Sequence, residues 1–154
     1  MVDQIHRQVL PNNDDITKTL TDIHSVIDLY KTFNKYKNFT REQLFYYLQK
    51  PISLGQCKIF YNNNLATGFI SWAYFNNKTE KHFKKTGEVL YWSGGKNIWL
   101  IDLVSAENLT DMIKYAKKHF SNIMTDEQRI NYIRVDEKDR IVKYSSQINK
   151  DHYK

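Results

Sequence analysis

Cysteine, proline and glycine are all scarce, at one, two and five residues in a chain of 154. The lone thiol, Cys57, excludes an intramolecular disulfide framework and a cysteine-built zinc cluster, and suits a reducing compartment. With so little Gly and Pro, and with 41% hydrophobic and 26% charged residues, the chain is not low-complexity disorder and can bury a core. Long apolar runs are missing: no stretch approaches the roughly eighteen residues of a membrane span. The segment from Met1 to Asp15 is polar where a secretory leader needs an apolar region. A cytoplasmic protein that does not span a membrane is therefore expected. The length suits one domain, residues 1–154, with 1–14 as a flexible lead-in and 145–154 as a polar tail.

Acidic residues are outnumbered, 17 against 23 Lys and Arg, for a net charge of +6. That balance favours a polyanionic partner: nucleic acid, an anionic membrane surface or an acidic protein. Basic residues cluster at Lys31, Lys35, Lys37 and Arg41, at Lys78, Lys81, Lys84 and Lys85, and at Lys114, Lys117 and Lys118. Solvated helix faces explain them most simply, and an acidic carrier protein could also dock there. Without a recognition helix or RNA-binding signature, nucleic acid is the weaker partner.

Apolar positions at Ile16, Leu20, Ile23, Ile27 and Tyr30, beside Val26 and Phe33, mark one face of a first helix, capped by Asp14 or Asp15. Thr40 and Gln43 have capping-box spacing, so a second helix should start there and end before Pro51. Residues 57–61 and 65–75 flank Asn62-Asn63-Asn64 and predict a hairpin. Residues 78–86 predict a short, exposed, basic helix ending at Gly87. Residues 98–104 form the most apolar segment and predict a central strand, followed by a helix capped by Asn108. Residues 130–135 and 140–144 predict a closing hairpin around Asp136-Glu137-Lys138-Asp139. The order implies an α+β domain with a mostly antiparallel sheet.

Asp102 interrupts the apolar central strand. Facing the core, it would need a hydrogen-bond partner or a raised pKa, and either makes it a catalytic candidate; facing out, it would be an ordinary strand carboxylate. His6, His24, His82, His119 and His152 lack metal-site spacing, and no metal is expected. Cys57 lies in an apolar strand, as a small hydrophobe would. No Gly-x-Ser-x-Gly elbow, phosphate loop or dinucleotide fingerprint occurs.

Four segments occur in a familiar order: Ser53-Leu54-Gly55-Gln56-Cys57-Lys58-Ile59-Phe60; Gly68-Phe69-Ile70-Ser71-Trp72-Ala73; Ser93-Gly94-Gly95 with Trp99-Leu100-Ile101-Asp102; and Ile133-Arg134-Val135-Asp136. Together they resemble the toxin-activating lysine-acyltransferase family, cytoplasmic enzymes that fatty-acylate RTX haemolysins, over about residues 23–144. The resemblance implies a fold similar to the GCN5-related acetyltransferases and an acyl donor held as a thioester on acyl carrier protein, an acidic partner, with no bound cofactor. It also implies a catalytic histidine in a Ser-x-x-His segment, paired with the central-strand aspartate, here Asp102. Alignment through Val26, Leu29 and Tyr30 and through Lys37-Asn38-Phe39 puts Tyr36 at the histidine position and Phe33 at the serine position. Ser105-Ala106-Glu107-Asn108 stands where the family has Ala-Pro-Phe-Gly. A tyrosine, with an ordinary pKa of about 10, is a poor base unless a cation lowers it.

Three functional readings follow. In the first, the protein acylates a toxin or bacteriocin polypeptide, with Asp102 as base or orienting group and Tyr36 as proton donor or oxyanion support. In the second, it resembles the small members that mature microcins. With a partner protein, these join a glucosylated catechol siderophore to the microcin C-terminus, so the donor would be a siderophore conjugate. In the third, the domain is a non-catalytic scaffold or binding module. Arg134, Trp72 and Ser71 are the substrate-binding candidates, Arg134 because a guanidinium at the sheet edge could hold a carboxylate or phosphate.

Overall fold

A computed structural model describes residues 13–125, 128–135 and 141–147. Helix α1 (Asn13–Lys31) leads through a 3-10 turn (Asn34–Tyr36) into α2 (Arg41–Ser53). Strands β1 (Cys57–Asn62) and β2 (Leu65–Phe75) follow, then α3 (Asn77–Thr86), β3 (Asn97–Ser105), α4 (Leu109–Ile123), β4 (Ile130–Val135) and β5 (Ile141–Gln147). The five strands lie in chain order, antiparallel throughout except for the parallel pair β3 and β4. Parallel neighbours need a crossover, and α4 supplies it. The result is the expected α+β domain, with β3 in the middle of the sheet. The lead-in 1–12, the turn 136–139 and the tail 148–154 lie outside the described residues.

Local chemistry explains most boundaries. Asn63 and Asn64 both take left-handed backbone, at φ 52° and 67°, which makes the tight two-residue hairpin turn. Thr40 Oγ1 accepts the Gln43 N–H while Gln43 Oε1 accepts the Thr40 N–H, so the predicted capping box forms. Thr40→Ala is expected to cost about 0.5–2 kcal/mol, read as a lower thermal midpoint.

Four expectations are corrected. α1 begins at Asn13, which places Asp14 and Asp15 in its first turn, where their charge favours the positive end of the helix dipole, not at the cap. α2 does not stop before Pro51 but runs through it to Ser53. Proline gives up its own N–H bond in the last turn of the helix, its ring is buried, and its carbonyl accepts the Gln56 N–H at 2.9 Å. Asn108 precedes α4 in left-handed conformation, φ 63°, without a side-chain cap bond, because capping geometry needs extended backbone at that position. Residues 145–147 are not tail: they pair with Tyr132, Asn131 and Ile130. In addition, α3 is not wholly exposed, since Thr79 and Phe83 are buried.

The sheet has two covered faces. On one, Ile23, Val26, Ile27 and Tyr30 of α1 and Leu44 and Leu48 of α2 pack with Phe69 and Val104. Farther along that face, Phe83 of α3 packs with Phe75 and Trp99. On the other, Met112 and Phe120 of α4 pack with Ile70, Trp72, Ile98 and Ile130. Among the described residues, no helix is long and apolar enough to cross a membrane.

Candidate active site

Alternation along β3 sends Trp99 toward the α1–α2 face and Leu100 toward α4. Continued strictly, it would turn Asp102 toward α4. The register shifts instead at Ser71 and Trp72: Leu100 pairs with Trp72, Asp102 pairs with Ser71, and Ile101 is the extra residue of a bulge. The inserted residue swings Asp102 onto the face covered by α1 and α2. Ser71 Oγ, fully buried, accepts the Asp102 N–H at 3.2 Å.

Two helices converge on the carboxylate. Tyr30, in the last turn of α1, and Tyr47, in the middle of α2, both donate their hydroxyls to Asp102 Oδ2 at 2.6 Å. Such short O–H···O⁻ bonds are the strong, charge-assisted kind. Tyr30 is fully buried, whereas Tyr47 keeps 41% of its surface exposed. The Tyr36 ring lies 4.7 Å from that of Tyr30, and Lys35 Nζ lies 5.5 Å from the Tyr36 ring centre.

Withdrawal from water raises the Asp102 pKa, and the bonds from Tyr30 and Tyr47 and the charge of Lys35 offset only part of that. Tyr30 and Tyr47 are pushed well above their ordinary value, first by burial and then by the negative charge of Asp102. Both hydroxyls therefore stay protonated at neutral pH and act as donors. The arrangement is a proton acceptor of raised basicity, gripped by two donors.

A raised folded pKa means the ionised carboxylate is less favourable in the folded protein than in the unfolded chain. The contribution of the protonated carboxyl to folding stability is complete below the unfolded value, near 3.8, and is lost as pH rises through the folded value. Asp102→Asn does not titrate. Its melting temperature is expected to move in its favour, relative to wild type, between about pH 3.5 and about pH 7. Thermal melts of both proteins across that range check the sign.

The structure thus brings together three of the predicted site residues, Asp102, Tyr36 and Ser71, on one face of the sheet. Trp72 lies on the opposite face, 3% exposed, with its ring 4.3 Å from His119 and 5.8 Å from Phe120. Arg134 pairs through its backbone with Lys143, and its side chain lies outside the described residues. Burial pushes the Cys57 thiol up to about 11, far from a ready nucleophile. Of the histidines, His24 Nδ1 lies 3.3 Å from Arg41, His82 lies 3.3 Å from Glu88, and His119 packs on Trp72; His6 and His152 lie outside the described residues. Among the described residues, no three His, Cys, Asp or Glu side chains group as metal ligands would.

Tyr30 and Tyr47 escaped the sequence reading. A signal existed: a tyrosine in a buried helical stripe must satisfy its hydroxyl, and a carboxylate in an apolar strand must find donors.

A model of the RTX toxin acyltransferase family matches residues 15–146, a span that contains every residue of this cluster. No curated protein sequence matches the chain.

Proposed function

The chain belongs to the RTX toxin acyltransferase family, and from that premise we propose that it acylates a toxin or bacteriocin polypeptide in the cytoplasm before export. The carrying observation is Asp102, turned onto the helical face by a bulge and held by two tyrosine hydroxyls at 2.6 Å. An acceptor amine or hydroxyl attacks the carbonyl of an acyl thioester. The new C–N or C–O bond forms, the C–S bond breaks, and the acceptor's proton passes to Asp102 and onward to the departing thiolate. Tyr36, beside Tyr30, supports the oxyanion or donates a proton. The net charge of +6 supports an acidic acyl carrier protein as donor.

One feature favours a second reading: phenols surround the carboxylate where the resemblance called for an imidazole, and ester formation on a sugar hydroxyl needs different proton chemistry from acylation of a lysine. In that reading a glucosylated catechol siderophore is joined to a microcin C-terminus with a partner protein. Intact-mass spectrometry of a candidate toxin or bacteriocin, co-expressed with this protein and its gene neighbours, separates the two. A gain matching a fatty acyl chain is expected. A gain matching a glycosylated siderophore selects the second reading, and no gain with co-purification of the two proteins overturns both in favour of a binding module.

A further inference from the structure

Between α2 and residues 87–93 runs a groove of about 570 Å³, lined by Tyr46, Tyr47, Leu54, Leu90, Tyr91 and Trp92 among others. Its far wall is pinned to the sheet. Gln56, buried, donates from Nε2 to the carbonyls of Trp72 (3.0 Å) and Trp92 (2.9 Å), Ser93 Oγ donates to Gln56 Oε1, and the Tyr74 N–H donates to the Trp92 carbonyl at 2.9 Å. A wall so held is formed before any ligand arrives. Of Tyr30, Tyr36, Tyr47 and Asp102, only Tyr47 lines this groove. The same side chain ends on Asp102 Oδ2.

Resting on the acyl-transfer reading, we propose that this groove receives the reacting groups and that Tyr47 is a catalytic residue, carrying the proton between them and Asp102. The acceptor gives its proton to Tyr47 Oη as the hydroxyl hydrogen already aimed at Asp102 crosses to Oδ2. The acceptor's lone pair forms the bond to the acyl carbon. When the carbon–sulfur bond breaks and the sulfur takes its electrons, the path runs backward: the proton on Asp102 returns to Tyr47 Oη, and the hydroxyl hydrogen facing the groove passes to sulfur. Nothing is oxidised and no proton is left over. A tyrosine this hard to ionise cannot hold the negative charge, so both transfers on each pass must move together. Tyr30, buried and off the groove, is a positioning residue that fixes the carboxylate while Tyr47 exchanges. The tyrosine–aspartate pair then does what a histidine would do, without needing a phenol as a free base.

Two measurements test the relay. With S-octanoyl-N-acetylcysteamine as donor and hydroxylamine as acceptor, Tyr47→Phe is expected to lower kcat for hydroxamate formation by about a hundredfold or more with KM little changed. Tyr30→Phe should lose less. Separately, N-acetylimidazole is expected to O-acetylate Tyr47 in the wild-type protein and to do so more slowly in Asp102→Asn, read by peptide mass. Tyr47 left unmodified while the exposed Tyr46 and Tyr91 react would overturn the relay. So would hydroxamate formation that needs Asp102 but survives Tyr47→Phe. Hydroxamate formation that is missing from wild type, or indifferent to Asp102→Asn, would instead overturn the acyl-transfer reading beneath it.

Discussion

Asp102→Asn is expected to lower acyl transfer by about a hundred- to ten-thousandfold while leaving the fold intact. Asparagine keeps the volume and one oxygen able to accept the hydroxyls of Tyr30 and Tyr47, so the two helices stay seated on β3. What disappears is an atom that can take a proton. Asp102→Ala is a poorer probe, because it strands the Tyr30 hydroxyl in a dry site and adds roughly 1–3 kcal/mol of destabilisation to any chemical loss. The decisive comparison is initial rate beside thermal midpoint: the Asn variant should be nearly inactive yet melt no lower than wild type at neutral pH. A charge kept in an unfavourable place for its chemistry has this signature. Activity within about tenfold of wild type would remove Asp102 as the proton acceptor.

Gly95→Ala should produce the largest structural effect. A Cβ at Gly95 would fall on the backbone of Phe75 and Asn76, closer than a real carbon approaches such atoms. Backbone cannot rotate away, and the Gly95 N–H also donates to the Tyr74 carbonyl at 3.1 Å, holding the 93–96 turn against the end of β2. Making room means lifting that turn, and with it Trp92 and Ser93 from Gln56. The expected cost is about 3 kcal/mol or more, a fall in melting temperature on the order of 6–12 °C. Gly68→Ala is the control: its Cβ meets only the thioether end of Met112, which can swing aside, so a much smaller loss is expected. Equal losses at the two positions would show that the turn is not pinned as described.

Element order was legible because each element carries its own punctuation. Thr40 and Gln43 sit three apart and cap α2; Asn63 and Asn64 tolerate the backbone their turn demands; residues 97–105 are apolar enough to lie centrally. The failures lie where tertiary context overrides a local rule. Pro51 is accepted inside α2 because it is buried one turn from the end, and Asn108 turns left-handed instead of capping. The site was half legible. Asp102 announced itself as a carboxylate in an apolar strand, but its two donors lie 72 and 55 residues away. Tyr30 also hid within the apolar stripe of α1, where its ring packs as leucine would and only its oxygen does polar work. No spacing rule reaches across such intervals. Ser71 and Trp72, adjacent in one motif, go to opposite faces, as neighbours in a strand must.

The single extra residue in β3 makes the orientation of the carboxylate a matter of counting. Up to Trp99 the buried helical side is odd-numbered; from Asp102 on it is even, with Val104 buried there and Leu103 turned away. Ironing the bulge flat while keeping Ile101 would restore uniform parity and present Asp102 to α4, among Met112 and Phe120, without altering a single side chain. Deleting Ile101 would also remove the bulge but leave Asp102 on the helical side. Anyone grafting this strand onto a regular sheet, or aligning it to another chain without a gap at that point, would inherit the aspartate on the wrong side of the protein.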